Sequence, residues 1–253
     1  MMSKKTNYSY VGIAFIILVF GIIFVPKIID RINKDDITRE DNRSKVVSTS
    51  MIERKGTKSD LVYLEINDKP KKVPVFSFTN QNGKTITNED YLGKVYVVEF
   101  FFTTCPTICP IMNRNLVEVQ SAFKDFENFG VASFSITPII DTPEVLKAYA
   151  NSYGITNLNW NLMTGNEETI YKLANEGFNL YTAKDNTVEG GFEHSGNFAL
   201  IDKEGFIRSR QDNFGNPLIF YNGLIPEVDG ADEEGIPQEI TILKEDIAKL
   251  LKE

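Results

Sequence analysis

The chain is poor in the side chains that bind soft metals or carry out thiol chemistry. Its 253 residues include only two cysteines and one histidine. Any thiol chemistry or soft metal site must therefore use Cys105 and Cys109, and any imidazole chemistry must use His194.

The chain also lacks long basic runs, and its formal net charge is −8. Such a surface would repel a phosphate backbone over most of its area, so we expect no nucleic-acid partner. The sequence shows no clear motif for a glycine-rich phosphate-binding loop, for a nucleophile elbow or for a pair of catalytic carboxylates. The hydrophobic content of 42% and the charged content of 25% are typical of a folded globular protein.

One long apolar run is present near the N-terminus. Residues 6–26 contain no charged side chain, and residues 11–25 are almost wholly apolar. About 20 helical residues span a hydrocarbon layer of about 30 Å. No small-residue cleavage site follows the run, so an uncleaved anchor is favoured over a removed signal peptide. We expect residues 1–29 to form a single transmembrane helix and residues 30–60 to form a polar stalk.

Residues 61–253 alternate between strand and helix patterns. The run at 95–102, VYVVEFFF, predicts a strand covered on both faces. Glu99 within it is expected to face a sheet edge or to be capped. The alternation predicts an α/β sandwich whose ligand site lies beyond the carboxyl end of a strand, where Cys105 is found. Further strands are predicted at 61–66, 73–78, 131–136, 160–163, 198–201 and 206–208, with helices starting near Pro106 and Pro143 and over 167–176 and 240–251.

Cys105 and Cys109 are four residues apart, which would place both sulfurs on one face of a helix. A helix N-terminus favours thiolate over thiol, and two thiolates suit Cu(I). His194 lies in a glycine-rich loop (residues 190–196) that is able to approach them and add a neutral nitrogen. The plainer alternatives stay open: a structural disulfide or two buried apolar cysteines, and a surface histidine.

Residues 105–110, CPTICP, resemble the CPxxCP signature of the Sco/SenC family of copper chaperones for cytochrome c oxidase. The resemblance implies a thioredoxin-like fold in which Cys105, Cys109 and His194 bind one copper ion as Cu(I) or Cu(II). It also implies delivery to the copper A site of oxidase subunit II, or to a similar cuproprotein. Further similar segments are residues 76–94, 135–144 (SITPIIDTPE), 162–165, 194–195 and 200–202, so that the resemblance covers about residues 74–208.

The sequence departs from the family pattern at three places. Thr104 stands where the family often has histidine, and Thr137 stands where it usually has aspartate, although Asp141 is retained. Residues 211–237 are an acidic, glycine- and proline-rich insertion within the predicted 61–253 domain. We expect this insertion to be a surface loop in which Phe220 and Tyr221 pack inward; the alternative is that its aromatic residues dock a partner.

The sequence thus predicts a membrane-anchored metallochaperone, rather than a turnover enzyme, on the outer, periplasmic face of a bacterial inner membrane. The alternative is a thiol–disulfide oxidoreductase in which Cys105 attacks and Cys109 resolves, with a disulfide as the oxidised state, so that target cysteines stay reduced. Structural zinc ranks lower because it usually takes four protein ligands. A peroxiredoxin-type peroxidase fits the cysteine pattern poorly, and a copper sensor is not distinguished from a chaperone.

Overall fold

The structure is a computed structural model that describes Leu18, Phe20 and residues 60–185, 187–212 and 214–253. The chain divides into two units, Met1–Ser44 and Lys45–Glu253. Leu18 and Phe20 of the first unit are helical and exposed; the rest of the predicted anchor, and the predicted stalk up to residue 59, lie outside the described residues. None of the helices in the described ranges is both long enough and apolar enough to cross a bilayer.

The described part of the second unit contains a mixed nine-stranded sheet, two small two-stranded sheets and four α-helices. The helices are α1 (Cys109–Ala122), α2 (Pro143–Tyr153), α3 (Glu167–Lys172) and α4 (Ile240–Lys252). The strands are β1 (Val62–Tyr63), β2 (Glu65–Ile66), β3 (Lys69–Pro70), β4 (Ser77–Asn80), β5 (Thr85–Thr87), β6 (Val95–Phe101), β7 (Phe129–Ser135), β8 (Trp160–Thr164), β9 (Thr182–Lys184), β10 (Phe192–His194), β11 (Asn197–Ile201), β12 (Ile207–Ser209) and β13 (Tyr221–Asn222).

The main sheet has the strand order β1-β12-β11-β6-β7-β8-β4-β5, and β13 pairs with the start of β11. β6, β7 and β8 are parallel, and α1 and α2 form the crossovers between them. Every residue of β6 and β7 is buried. The prediction that the run at 95–102 forms a strand covered on both faces is therefore confirmed. The α/β architecture predicted from the alternation is also confirmed. The carboxyl end of β6 leads directly into the loop that holds Cys105.

The first helix starts later than predicted. We expected Pro106 in its first turn, but α1 begins at Cys109 and has Pro110 in its first turn. A helix that began at Pro106 would place Pro110 one full turn inside, where its missing N–H and its ring would break the hydrogen-bond ladder. Pro110 therefore fixes the helix start, because a first turn tolerates proline.

Three other predicted elements differ in extent. The predicted strand at 73–78 joins the sheet only from Ser77, since Pro74 cannot donate a ladder hydrogen bond. The predicted strand at 61–66 is divided into β1 and β2. The predicted helix at 167–176 is α-helical to Lys172 and continues as a π-helix over Leu173–Phe178.

The segment 211–237 packs on the domain through its aromatic residues. Tyr221 is fully buried and donates its hydroxyl to Asp246 of α4 at 2.8 Å, while Phe220 packs partly buried against the core. The expected inward packing of these two side chains is therefore confirmed. The acidic remainder of the segment, which includes exposed Glu233 and Glu234, lies at the surface.

Candidate metal centre

Cys105 lies in the turn between β6 and α1. Its N–H bonds to the carbonyl of Phe102 at 3.3 Å, and its sulfur accepts the N–H of Cys109, the first residue of α1, at 3.4 Å. The expectation that both cysteines lie on one helix face is therefore wrong. Cys105 instead faces the amino end of the helix from outside, where its sulfur accepts one of the N–H groups that have no partner within the helix.

His194 reaches the two cysteines from the small β9–β10 sheet. It is the last residue of β10, where it pairs with Thr182 of β9, and the next N–H, of Ser195, bonds to the carbonyl of Tyr181 at 2.8 Å. Its ring makes a T-shaped contact with the ring of Phe102, with a centroid distance of 5.8 Å. His194 is only 6% exposed, so the surface alternative is wrong.

The structure brings together all three side chains that the sequence singled out. The Nε2 atom of His194 lies 3.1 Å from the sulfur of Cys109, and the ligand atoms of Cys105, Cys109 and His194 all lie within 4.8 Å of one another. All three residues are buried, and both cysteines are free thiols. Two sulfurs and one imidazole nitrogen form a donor set that suits a soft ion such as Cu(I).

A glycine allows the loop before His194 to approach the cysteines. Gly190 has φ +90°, and a Cβ atom there would lie 3.1 Å from Cδ of Pro106 and 3.3 Å from the ring of Phe102. A larger residue would be strained in its backbone and would push the loop off the cysteine turn. The predicted approach of the glycine-rich loop is thus confirmed.

The surroundings of the two thiols move their pKa values in opposite directions. A hydrogen bond with the Cys109 side chain is the largest influence that lowers the pKa of Cys105; His194 and the N–H groups of Cys109 and Thr107 lower it further, and burial opposes them. Burial raises the pKa of Cys109, and the neighbouring Cys105 raises it further. The pair therefore favours a thiolate at Cys105 and a protonated thiol at Cys109.

The ring of His194 is oriented by its own loop. Its Nδ1 atom lies 3.2 Å from the carbonyl oxygen of Ser195. A carbonyl oxygen only accepts, so Nδ1 carries the proton in this contact. With that proton on Nδ1, a bound metal would take the lone pair of Nε2, the ring nitrogen that lies 3.1 Å from the Cys109 sulfur.

Asp141 is a supporting residue whose contacts the sequence did not reveal. Its buried carboxylate accepts the Thr103 N–H at 3.1 Å, the Ser135 hydroxyl at 2.5 Å and the Thr137 hydroxyl at 2.9 Å, as well as the Thr103 hydroxyl. It therefore ties the end of β7 to the turn that carries Cys105. The available signal was its retention within the SITPIIDTPE segment.

A buried hydrogen-bond chain lies within the central strands. The indole of Trp160 donates to the Ser133 hydroxyl at 2.9 Å, and that hydroxyl donates to Glu99 at 2.6 Å. Glu99 is fully buried between paired strands, so the expected edge position is wrong, whereas the expected alternative, a carboxyl group capped by a hydrogen bond, is confirmed by the contact with Ser133. Burial raises the pKa of Glu99 to about 7, against the opposing hydrogen bond from Ser133.

The fold and the cluster together define a class: a thioredoxin-like α/β domain with two cysteines and one histidine gathered beyond its central strand. A family model described as SCO1/SenC matches residues 65–221. The chain belongs to the SCO1/SenC family.

Three relatives show how far the similarity extends. The SCO1 protein homolog of Bacillus subtilis is 32% identical over 163 residues, which are 63% of this chain and 82% of the relative. The solved structure of a SCO1/SenC family lipoprotein from Bacillus anthracis is 30% identical, with a TM-score of 0.59 over 71% of this chain and 95% of that one. The structure of BsSco, described as a member of the Sco family of cytochrome c oxidase assembly proteins with a disulfide switch, is 26% identical, with a TM-score of 0.57 over 72% and 94%.

Proposed function

We propose that this protein is a copper carrier that holds one ion between Cys105, Cys109 and His194 and delivers it to the copper A site of cytochrome c oxidase subunit II. The observation that carries the proposal is the convergence of the three ligand atoms within 4.8 Å of one another. Membership of the SCO1/SenC family supports the same chemistry.

The donor set favours copper over zinc. Two thiolates and an imidazole complete a three-coordinate site for Cu(I), whereas structural zinc usually takes four protein ligands. Thr104 is exposed where the family often has histidine, so that residue adds no nitrogen ligand. In the proposed site the two sulfurs hold Cu(I), and His194 supplies the nitrogen that Cu(II) favours.

Metal titration tests the site. The reduced protein, titrated with Cu(I) against a competing chelator, should bind one ion per chain. Cys105→Ser and Cys109→Ser should abolish this binding, and His194→Ala should weaken it by more than roughly 10-fold, since even outer-shell partners typically contribute 10–100-fold. Met112→Leu is the matched control, because it removes a buried sulfur from α1 at nearly constant volume. Binding that survives loss of either cysteine would refute the proposed ligand set.

The proposed target is a cuproprotein of the respiratory chain. The description of BsSco as one of a family of oxidase assembly proteins supports this choice. Copper-loaded protein mixed with the metal-free soluble domain of subunit II should transfer its ion, and deletion of the gene should lower oxidase activity in a way that added copper partly restores. Oxidase activity that stays normal after deletion would remove this target.

Thiol–disulfide exchange is the second candidate function. The lowered pKa of Cys105 beside the protonated Cys109 favours it, as does the disulfide switch described for BsSco. The Cys105 thiolate would attack a target disulfide, and Cys109 would then displace the target. The target leaves as a dithiol, and this chain becomes the disulfide. If His194→Ala left copper affinity unchanged while reduction of the target persisted, this function would replace copper delivery.

The proposed setting is the outer face of a bacterial inner membrane, with residues 1–29 as a single-pass anchor. The uncharged run at 6–26 supports the anchor, and the proposed oxidase target supports the side. Protease added to intact spheroplasts should degrade the domain from about residue 61 onward. Protection in spheroplasts, with degradation only after lysis, would reverse the orientation.

A further inference from the structure

A short segment beyond the metal cluster lies directly on the loop that carries His194. This strap (residues 221–225) begins with β13, whose Asn222 and Tyr221 pair with Asn197 and Phe198 of β11. The N–H of Gly223 then bonds to the carbonyl of Gly196 at 2.7 Å. The strap is therefore hydrogen-bonded to the chain within two to four residues of His194.

The strap also fits the loop closely in shape. A Cβ atom on Gly196 would lie 2.3 Å from the Leu224 side chain, and one on Gly223 would lie 2.5 Å from the ring of Phe198. Neither glycine leaves room for a side chain, so the backbone of each segment lies directly against a side chain of the other. Leu224 thus packs directly on Gly196, two residues after His194.

Two helices hold the strap in place. On α1, the buried amide of Asn115 donates to the carbonyls of Gly223 at 2.9 Å and Ile225 at 3.4 Å. On α4, Asp246 accepts the hydroxyl of Tyr221 at 2.8 Å. Because α1 begins with Cys109, Asn115 connects the helix of one proposed ligand to the loop of another.

We propose that the strap positions His194, holding its Nε2 atom 3.1 Å from the Cys109 sulfur, and that Asn115 is the principal positioning residue. This inference rests on the proposed copper site. The two soft thiolates supply most of the binding of Cu(I), whereas Cu(II) depends more strongly on a fixed imidazole nitrogen. The strap therefore acts chiefly on Cu(II) affinity, and it acts through His194.

A double-mutant cycle tests this role. Cu(II) affinity is measured anaerobically by chelator competition, together with the sulfur-to-copper charge-transfer band, in the full chain and in Asn115→Ala, His194→Ala and the double variant. Asn115→Ala should weaken Cu(II) binding by up to roughly 10-fold, the lower end of the effect of a group that bonds a ligand directly, because Asn115 acts one step further away, and it should change Cu(I) binding less. In the His194→Ala background it should have no effect.

Asn159→Ala is the matched control. Its amide also donates to two carbonyls, of Glu127 and Phe129, but at the opposite end of the parallel strands. Tyr221→Phe, which removes the hydroxyl that donates to Asp246, gives a milder second test in case Asn115→Ala folds poorly. Equal weakening with and without His194, or none in either strap variant, would overturn the proposal.

A metal-free measurement separates failure of the strap from failure of the copper site. The chain has one histidine, so ¹⁵N-labelled histidine gives the ring signals of His194 alone. Asn115→Ala should shift or broaden these signals without metal. Unchanged signals would overturn the strap, whereas a wild-type chain that binds no copper would overturn the proposed function and leave this result standing.

Discussion

Glu99 is a carboxyl group in an environment that is unusual for its residue type. It lies in the middle of the central strand, fully buried, and receives one hydrogen bond from Ser133. Burial disfavours the carboxylate, which raises the pKa of Glu99 from 4.5 to about 7. The folded protein therefore holds this proton more tightly than the unfolded chain does.

The stability contributed by Glu99 should depend on pH. It should be fully present below about pH 4.5 and should be lost as the pH rises through about 7, where the folded carboxyl ionises. Each pKa unit corresponds to about 1.4 kcal/mol, so the loss is a few kcal/mol at most. Urea unfolding of wild type and Glu99→Gln at pH 5 and pH 8 measures it.

In Glu99→Gln, which does not titrate, the fall in stability between these pH values should be smaller. Glu118→Gln on the exposed face of α1 is the control, and its pH dependence should follow that of wild type. Identical pH dependence in all three proteins would show that Glu99 titrates normally.

The cluster of Cys105, Cys109 and His194 could be predicted because cysteine and histidine are scarce in this chain. With two cysteines and one histidine in the chain, a soft site had few possible members. Asn115 and Asp141 could not be found in this way, because asparagine and aspartate are common. Their value comes from partners that are distant in sequence, such as Gly223 for Asn115 and Thr103 for Asp141.

Among the elements, β6 and β7 end at the site and are joined there by Asp141. Asp141→Asn should lower the free energy of unfolding by about 2 kcal/mol or more, since hydrogen bonds to a charged group contribute about 1.5–3 kcal/mol each and an amide nitrogen cannot accept them. Chemical denaturation measures this loss. Asp125→Asn, at an exposed position, should change stability by less than about 0.5 kcal/mol. Equal effects would show that the carboxylate does not join the strands.

The central strands and α2 could be predicted from the sequence, because a continuous apolar run and a Thr-Pro helix start are patterns of neighbouring residues. The start of α1 did not, since two prolines compete for it and only Pro110 lies in the first turn. Pairing of β4 with β8, and of β1 with β12, depends on contacts between distant parts of the chain that no local pattern reveals.

Across the whole molecule, Arg208 connects three distant parts of the domain. Its guanidinium donates to Asp202 in the β11–β12 turn, to Glu253 after α4 and to the carbonyl of Leu61 before β1. Both Arg208 and Asp202 are almost fully buried. The arginine thus fastens the beginning and the end of the described domain to its sheet.

Arg208→Met should destabilise the protein by about 3–5 kcal/mol, because it leaves the buried Asp202 carboxylate without its ion-pair partner. Thermal or urea unfolding measures the change. Lys84→Met breaks the exposed pair with Asp90 and should cost less than about 1 kcal/mol. Comparable losses in the two variants would show that burial does not distinguish these pairs.

The hydrogen-bond chain from Trp160 through Ser133 to Glu99 gives the protein an intrinsic optical probe. The sequence contains one tryptophan, so the ultraviolet-excited emission of the indole comes from a single place. That indole is two hydrogen bonds from the carboxyl group with the raised pKa. Emission wavelength and lifetime, followed through a pH titration, would report ionisation deep inside the domain without any attached dye.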